Sequence, residues 1–153
     1  MPNTYSQIYI HAVFAVKFRE NLITKEWRDT LHGYLSGILK HEGAFPLAVG
    51  GWIDHVHIFF SLPPSKSISD VMRVVKTNSS KWINEQQLVK GKFQWQEGFG
   101  AFSNSKSEID RVIKYIMSQE VHHEGKSFKK EYKEILQKYE VAFDDKYLFE
   151  FYE

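Results

Sequence analysis

Apolar positions recur with two periods along this chain, and the switches between them mark its elements. Over residues 5–18, β-branched and aromatic side chains crowd together (Ile8, Tyr9, Ile10, Val13, Phe14, Val16, Phe18), which predicts a strand. Over 24–41 the spacing becomes helical through Trp27, Leu31, Tyr34, Leu35, Ile38 and Leu39, with Gly43 placed to end the helix. Residues 45–52 and 55–62 read as two strands around a tight connection at Ile53-Asp54, and Pro63-Pro64 stops the second. Ser67 with Asp70 three residues on predicts a capped helix to about 86, its apolar face made by Ile68, Val71, Met72, Val75, Trp82 and Ile83. A loop over 90–98 and a short strand over 99–103 follow. Ser107 with Asp110 opens a further helix to about 122, and a last amphipathic helix covers about 128–139, before an acidic, aromatic tail.

The order is β-α-β-β-α-β with two helices appended. It predicts a ferredoxin-like α+β fold: an antiparallel sheet with helices on one face plus C-terminal helices. The 153 residues carry no repeats, low-complexity tracts or long linkers, so residues 1–153 read as a single domain.

Composition narrows the function classes. Apolar residues at 42% and charged residues at 25% exclude disorder, collagen-like repeats and coiled coil. The absence of cysteine removes disulfides, thiolate nucleophiles and Cys-type zinc sites. The net charge of +1 predicts no polyanionic partner by itself, yet the charges are unevenly placed. Residues 66–92 hold six basic and two acidic side chains, whereas 120–153 hold nine acids and six lysines. Such asymmetry permits a local anion-binding face, and it equally fits two solvated surfaces of opposite sign. No basic leader and no run of 18 apolar residues occurs, so the expectation is a cytoplasmic protein without a membrane partner.

Three constellations could carry chemistry. The first is His55-Val56-His57: two residues apart on a strand, both imidazoles project from one face, a start to a divalent-metal site that needs a further ligand. A chance histidine pair on a sheet surface would look the same. Asp54 beside it could orient a histidine or make the turn. The second lies on the helix after Ser107, where Tyr115, Gln119 and His122 fall at i, i+4 and i+7, with Arg111 at i−4. Gln119 offers an oxygen ligand one turn beyond a tyrosine nucleophile; the plainer reading is a half-buried tyrosine at the core edge. The third is the outer face of the Ser67 helix, where Arg73, Lys76 and Lys81 suit phosphate contacts, or are simply solvated. Trp95 and Phe99 could stack on bases or fill the core. No P-loop, GxGxxG, GxSxG, HExxH or EF-hand pattern is present.

Taken together, these residues resemble the single-tyrosine HUH transposases, the small TnpA-type enzymes of bacterial insertion sequences and their domesticated relatives. The resemblance runs through Tyr5-Ser-Gln-Ile-Tyr-Ile-His11, Asp54-His-Val-His57-Ile-Phe-Phe60, Trp95-Gln-Glu-Gly-Phe-Gly-Ala-Phe-Ser103 and Tyr115-Ile-Met-Ser-Gln119-Glu-Val-His-His123, with no departure in the motif residues. It implies that His55, His57 and Gln119 bind Mg²⁺ or Mn²⁺ and that Tyr115 attacks single-stranded DNA beside a hairpin. A 5′-phosphotyrosine and a free 3′-OH would result, with His122 and Arg111 as outer residues of the site. The resemblance further implies a homodimer in which Tyr115 serves its own subunit or the partner's. A metal-dependent phosphodiesterase using water, and a ferredoxin-like nucleic-acid-binding module without catalysis, are the rival readings.

Overall fold

The computed structural model describes residues 3–122 and 126–144. Its elements follow the predicted order: β1 (Tyr9–Ala15), α1 (Lys25–His41), β2 (Phe45–Gly51), β3 (His55–Ser61), α2 (Ile68–Glu85), β4 (Gly100–Asn104), α3 (Ile109–Met117), α4 (Gln119–His122) and α5 (Phe128–Lys138). The four strands form one sheet in the order β2-β3-β1-β4, with every neighbouring pair antiparallel. That is the ferredoxin-like arrangement.

Strand parity divides the sheet into two working faces. Ile10, Ala12 and Phe14 of β1, with Val56, Ile58 and Phe60 of β3, turn to one side and bury against the apolar stripes of α1 and α2. The opposite side carries His11, Val13 and Ala15 beside His55, His57 and Phe59. The two appended helices cover it. α3 packs Val112 and Ile116 on Ala48 and Phe59, whereas α5 packs Phe128, Ile135 and Leu136 on Val13, Ala15 and Phe102. The histidines therefore lie in a seam between two small apolar contacts.

Local signals set most boundaries. Ser67 Oγ accepts from Asp70 N at 3.0 Å, as its capping pattern predicts, and Ser127 Oγ accepts from Lys130 N at 3.2 Å to start α5. Gly43, at φ +81°, follows the last turn of α1. Elsewhere the structure departs from the pattern. The predicted strand over 5–18 is reduced to β1: Tyr5 is 91% exposed, and after Ala15 the chain bends through Phe18 and Arg19, both with positive φ. This bend lets Val16 N donate to Asp54 O at 2.9 Å and Lys17 N to Gln94 O at 3.0 Å, tying the start of the site to two loops.

Ser107 does not cap α3. Its hydroxyl lies 2.9 Å from that of Ser105, and a 3-10 turn over Lys106–Glu108 leads into the helix. The predicted helix to 122 is also broken. Ser118 leaves helical geometry at φ −104°, ψ 21°, and its hydroxyl bonds back to Lys114 O, so Gln119 opens the separate α4.

Candidate active site

Five elements bring their polar side chains into the seam. β3 supplies His55 and His57, β1 supplies His11, α3 supplies Tyr115, and α5 supplies Glu131 one turn after Phe128 on its inner face. Gln119, at the start of α4, completes the set. His55, His57 and Glu131 are all buried, and their ligand atoms lie within 4.8 Å of one another, so this group could hold a metal ion.

The surroundings of each imidazole point its Nε2 inward. His55 Nδ1 meets Asp54 Oδ1 at 2.8 Å, which leaves Nε2 facing Gln119 Oε1 at 3.0 Å and Glu131 Oε1 at 3.3 Å. His57 Nδ1 meets His11 Nε2 at 2.8 Å, and its Nε2 lies 3.4 Å from Glu131 Oε1. Partners on Nδ1 that orient Nε2 are the outer shell a histidine metal ligand requires. With His11 neutral, its Nε2 can accept from His57 Nδ1–H, freeing the His57 Nε2 lone pair. The donor set, two imidazoles with a carboxylate and an amide oxygen, fits a first-row divalent cation better than an all-oxygen ion site would. Phe128 stacks on His55 with ring centroids 4.1 Å apart, closing that side of the site to water.

The tyrosine stands beside this group. Its ring meets His57 edge-on at 5.6 Å, and its hydroxyl donates to Glu131 Oε2. Burial foremost, then the charge of Glu131, raises the Tyr115 pKa above the usual phenol range. An opening of about 260 Å³, lined by His11, Arg111, Tyr115, Glu131 and Tyr139, leads to it.

Charge in the site is governed by burial and by the two carboxylates. Burial is the largest influence on His55 and would lower its pKa, but hydrogen bonds and charge from Asp54 and Glu131 outweigh it and raise the pKa to about 9. Burial foremost, then the nearby His57, lowers His11 to about 3, and outside the site burial lowers His32 of α1 to about 4. A raised pKa means that the folded state holds the proton more tightly than the unfolded chain. The His55 contribution to stability is therefore complete below about pH 6.5 and disappears as the pH rises through 9. His11 and His32 act oppositely: the fold keeps them neutral, and stability falls as the pH drops below about 6.5. The chelated protein should thus melt highest near pH 6–7 and lose stability on both sides. Thermal melts in chelator from pH 4 to 9.5 check this, and a flat alkaline limb would show that His55 is not charged in the fold.

The predicted site residues meet only in part. His55, His57, Tyr115 and Gln119 converge, with Gln119 Nε2 also 3.2 Å from Glu131 Oε2. Arg111 instead pairs with Glu108 on the surface and reaches the site only as a wall of the opening. The His122 side chain, His123 and the tail from residue 145 lie outside the described residues. Arg73, Lys76 and Lys81 sit on α2, in the layer on the far side of the sheet from the histidines. Arg73 and Lys81 are exposed, but Lys76 donates to Gln96 O at 2.6 Å and Gly98 O at 2.7 Å, and burial lowers its pKa. It fastens the loop before β4. Lys76→Ala should cost about 1–3 kcal/mol of stability, read as a lower Tm, whereas Arg73→Ala should not. An unchanged Tm would return Lys76 to the phosphate-contact role. Trp95 belongs to the core, donating its Nε1 to Ser79 Oγ at 2.9 Å.

Sequence reasoning assigned no role to His11 or Glu131. A signal for Glu131 was present: an acid on the apolar stripe Phe128, Glu131, Ile135 of an amphipathic helix is out of place unless it has partners. His11 shares the parity of Val13 and Ala15 on β1, but nothing in one strand states what lies opposite it.

Fold and site together define a class: an antiparallel βαββαβ domain whose second sheet face sets paired imidazoles against a helical tyrosine. The chain belongs to the IS200-like transposase family, whose profile, "Transposase IS200 like", matches residues 4–119. It is similar to the ISDra2 transposase TnpA of Deinococcus radiodurans, 26% identical over 118 residues, which cover 74% of this chain and 84% of that one. Against the transposase of insertion sequence element IS200 from Salmonella typhimurium it is 30% identical over 76 residues, half of each chain. Among solved structures it resembles a transposase crystal structure from Deinococcus radiodurans R1, with TM-score 0.63, 21% identity and coverage of 76% of this chain and 94% of the other. It also resembles a REP-associated tyrosine transposase bound to a REP hairpin, with TM-score 0.59, 16% identity and coverage of 80% and 72%. At these identities the structural likeness establishes the fold. No helix among the described residues is long and apolar enough to cross a membrane.

Proposed function

We propose that this transposase acts as a single domain that cleaves and rejoins single-stranded DNA beside a hairpin, through a 5′-phosphotyrosine on Tyr115. The observation that carries the reading is the convergence of the Tyr115 hydroxyl, His55 and His57 on one buried carboxylate within one chain. The hairpin DNA held by a relative of the same fold supports the substrate class.

The chain's own groups divide the work. His55 and His57 would hold Mg²⁺ or Mn²⁺, with oxygen from Gln119 and Glu131. Such a cation stabilises charge on the oxygens of a phosphodiester. Asp54 and His11 hold the two imidazoles in register. Tyr115 Oη forms a bond to phosphorus as the bond from phosphorus to O3′ breaks, leaving a 3′-OH and a DNA 5′ end on the protein. Because one phosphodiester replaces another, a second 3′-OH can reverse the step and reseal the strand without a nucleotide cofactor. A cleft of about 590 Å³ beside the site, between the loop before β4 and α5, includes Gln96, Phe99 and Tyr132 in its walls and offers an aromatic-lined path for the strand. The sheet ends in two edge strands, β2 and β4, which give a homodimer an edge for pairing.

The test is a denaturing gel of the protein with Mn²⁺ and 3′-labelled single strands from both flanks of its own gene. A metal-dependent protein–DNA adduct is expected. Cleavage without an adduct would mean a water nucleophile, and hairpin binding without cleavage would mean a binding module.

A further inference from the structure

We infer that Glu131 couples the two halves of the site: one carboxylate oxygen serves the cation position between His55 and His57 while the other holds the Tyr115 hydroxyl. This rests on the reading above and adds a positioning residue to it, from beyond residue 119, where the family match ends.

The two oxygens face different partners, so neither role excludes the other. Oε1 lies 3.3 Å from His55 Nε2 and 3.4 Å from His57 Nε2. Oε2 accepts from the Tyr115 hydroxyl and, at 3.2 Å, from Gln119 Nε2. The side chain is 1% exposed, and a carboxylate taken out of water to that degree persists only where donors or cations replace its hydration. Its placement is enforced by α5, which is anchored by Phe128 on His55 and by Ile135 and Leu136 in the apolar contact with β1. A helix so fixed presents the carboxylate rigidly, and the tyrosine that bonds to it is held at the cation position by the same anchor.

A linkage follows. The phenol draws electron density from the carboxylate, as a cation would, so each weakens the hold of the other, and the effect is reciprocal. Removing the phenol should tighten cation binding, and only through Glu131.

The experiment measures Mn²⁺ affinity from the loss of the free-ion EPR signal, in the full-length wild type, Glu131→Gln, Tyr115→Phe and the double variant, with His55→Ala as reference. Glu131→Gln should weaken binding by at least about tenfold. Tyr115→Phe should tighten it a few-fold in the wild-type background and leave it unchanged in Glu131→Gln. If Glu131→Gln does not fold, Glu131→Asp replaces it; its carboxylate, drawn back by one methylene, should lose the response to Tyr115→Phe. The inference is overturned by Mn²⁺ affinity within about twofold of wild type in Glu131→Gln. It is equally overturned if Tyr115→Phe has no effect, or the same effect in both backgrounds. Undiminished Mn²⁺ binding in His55→Ala would bring down the metal-centre reading itself. Loss in His55→Ala with full binding in Glu131→Gln would bring down the coupling alone.

Discussion

Tyr115→Phe should abolish the covalent protein–DNA adduct and reduce strand cleavage by a factor on the order of 10⁴ or more, because no other group replaces a missing nucleophile. The variant should still fold. The phenyl ring keeps its edge contact with His57, and Glu131 Oε2 keeps the Gln119 amide as a donor at 3.2 Å. Hairpin affinity should change little, since the hydroxyl faces the seam between α3 and α5. His55→Ala should also stop cleavage, but by a different route: it leaves Asp54 and Glu131 without their shared imidazole and removes one nitrogen from the candidate cation position. The two are separable on the gel and in a Mn²⁺ titration, because only His55→Ala should lose metal. Residual adduct in Tyr115→Phe would place the nucleophile on another tyrosine of this eight-tyrosine chain.

Gly50→Ala should damage the protein although Gly50 bears no functional group. A Cβ there would lie 2.5 Å from Ile116 O and 2.9 Å from Ile116 Cγ2, so the methyl group would collide with the α3 backbone beside Tyr115. Backbone cannot swing aside as a side chain can, and α3 must lift from β2. Overpacking of this kind costs about 1–3 kcal/mol. A displacement of the nucleophile by about 1 Å lowers its rate on the order of a hundredfold. Gly33→Ala supplies the control: its Cβ would meet nothing within 4 Å, and alanine is the better helix former there. Melts and single-turnover cleavage of both variants check the expectation. Equal behaviour of the two would mean that α3 is not seated through Gly50.

Local patterning made much of the protein legible. Alternation on β3 placed His55 and His57 on one face, and the Ser67 cap and Gly43 stop are properties of a few adjacent residues. The order of elements followed for the same reason. Misreadings arose where a local signal had a distant competitor. Tyr5 and Ile8 look like strand, yet β1 begins at Tyr9 and leaves Tyr5 in solvent. The face of α2 marks Lys76 as a candidate phosphate contact, but only the fold shows its ammonium also bonded to the loop carbonyls of Gln96 and Gly98.

By itself, then, the sequence determined the fold class and the shared face of the His55 and His57 imidazoles, because both rest on periodicity, whereas Tyr115 stood out only through the family resemblance. Only the tertiary structure decided that α3 and α5 close over the second sheet face, that His11 sits 2.8 Å from His57, and that Glu131 is the common partner of the imidazoles and the phenol. Those contacts span 46 residues between His11 and His57 and 74 between His57 and Glu131. Over such separations the chain carries no periodic record of which side chains will meet. The packing of whole helices on the sheet selects them.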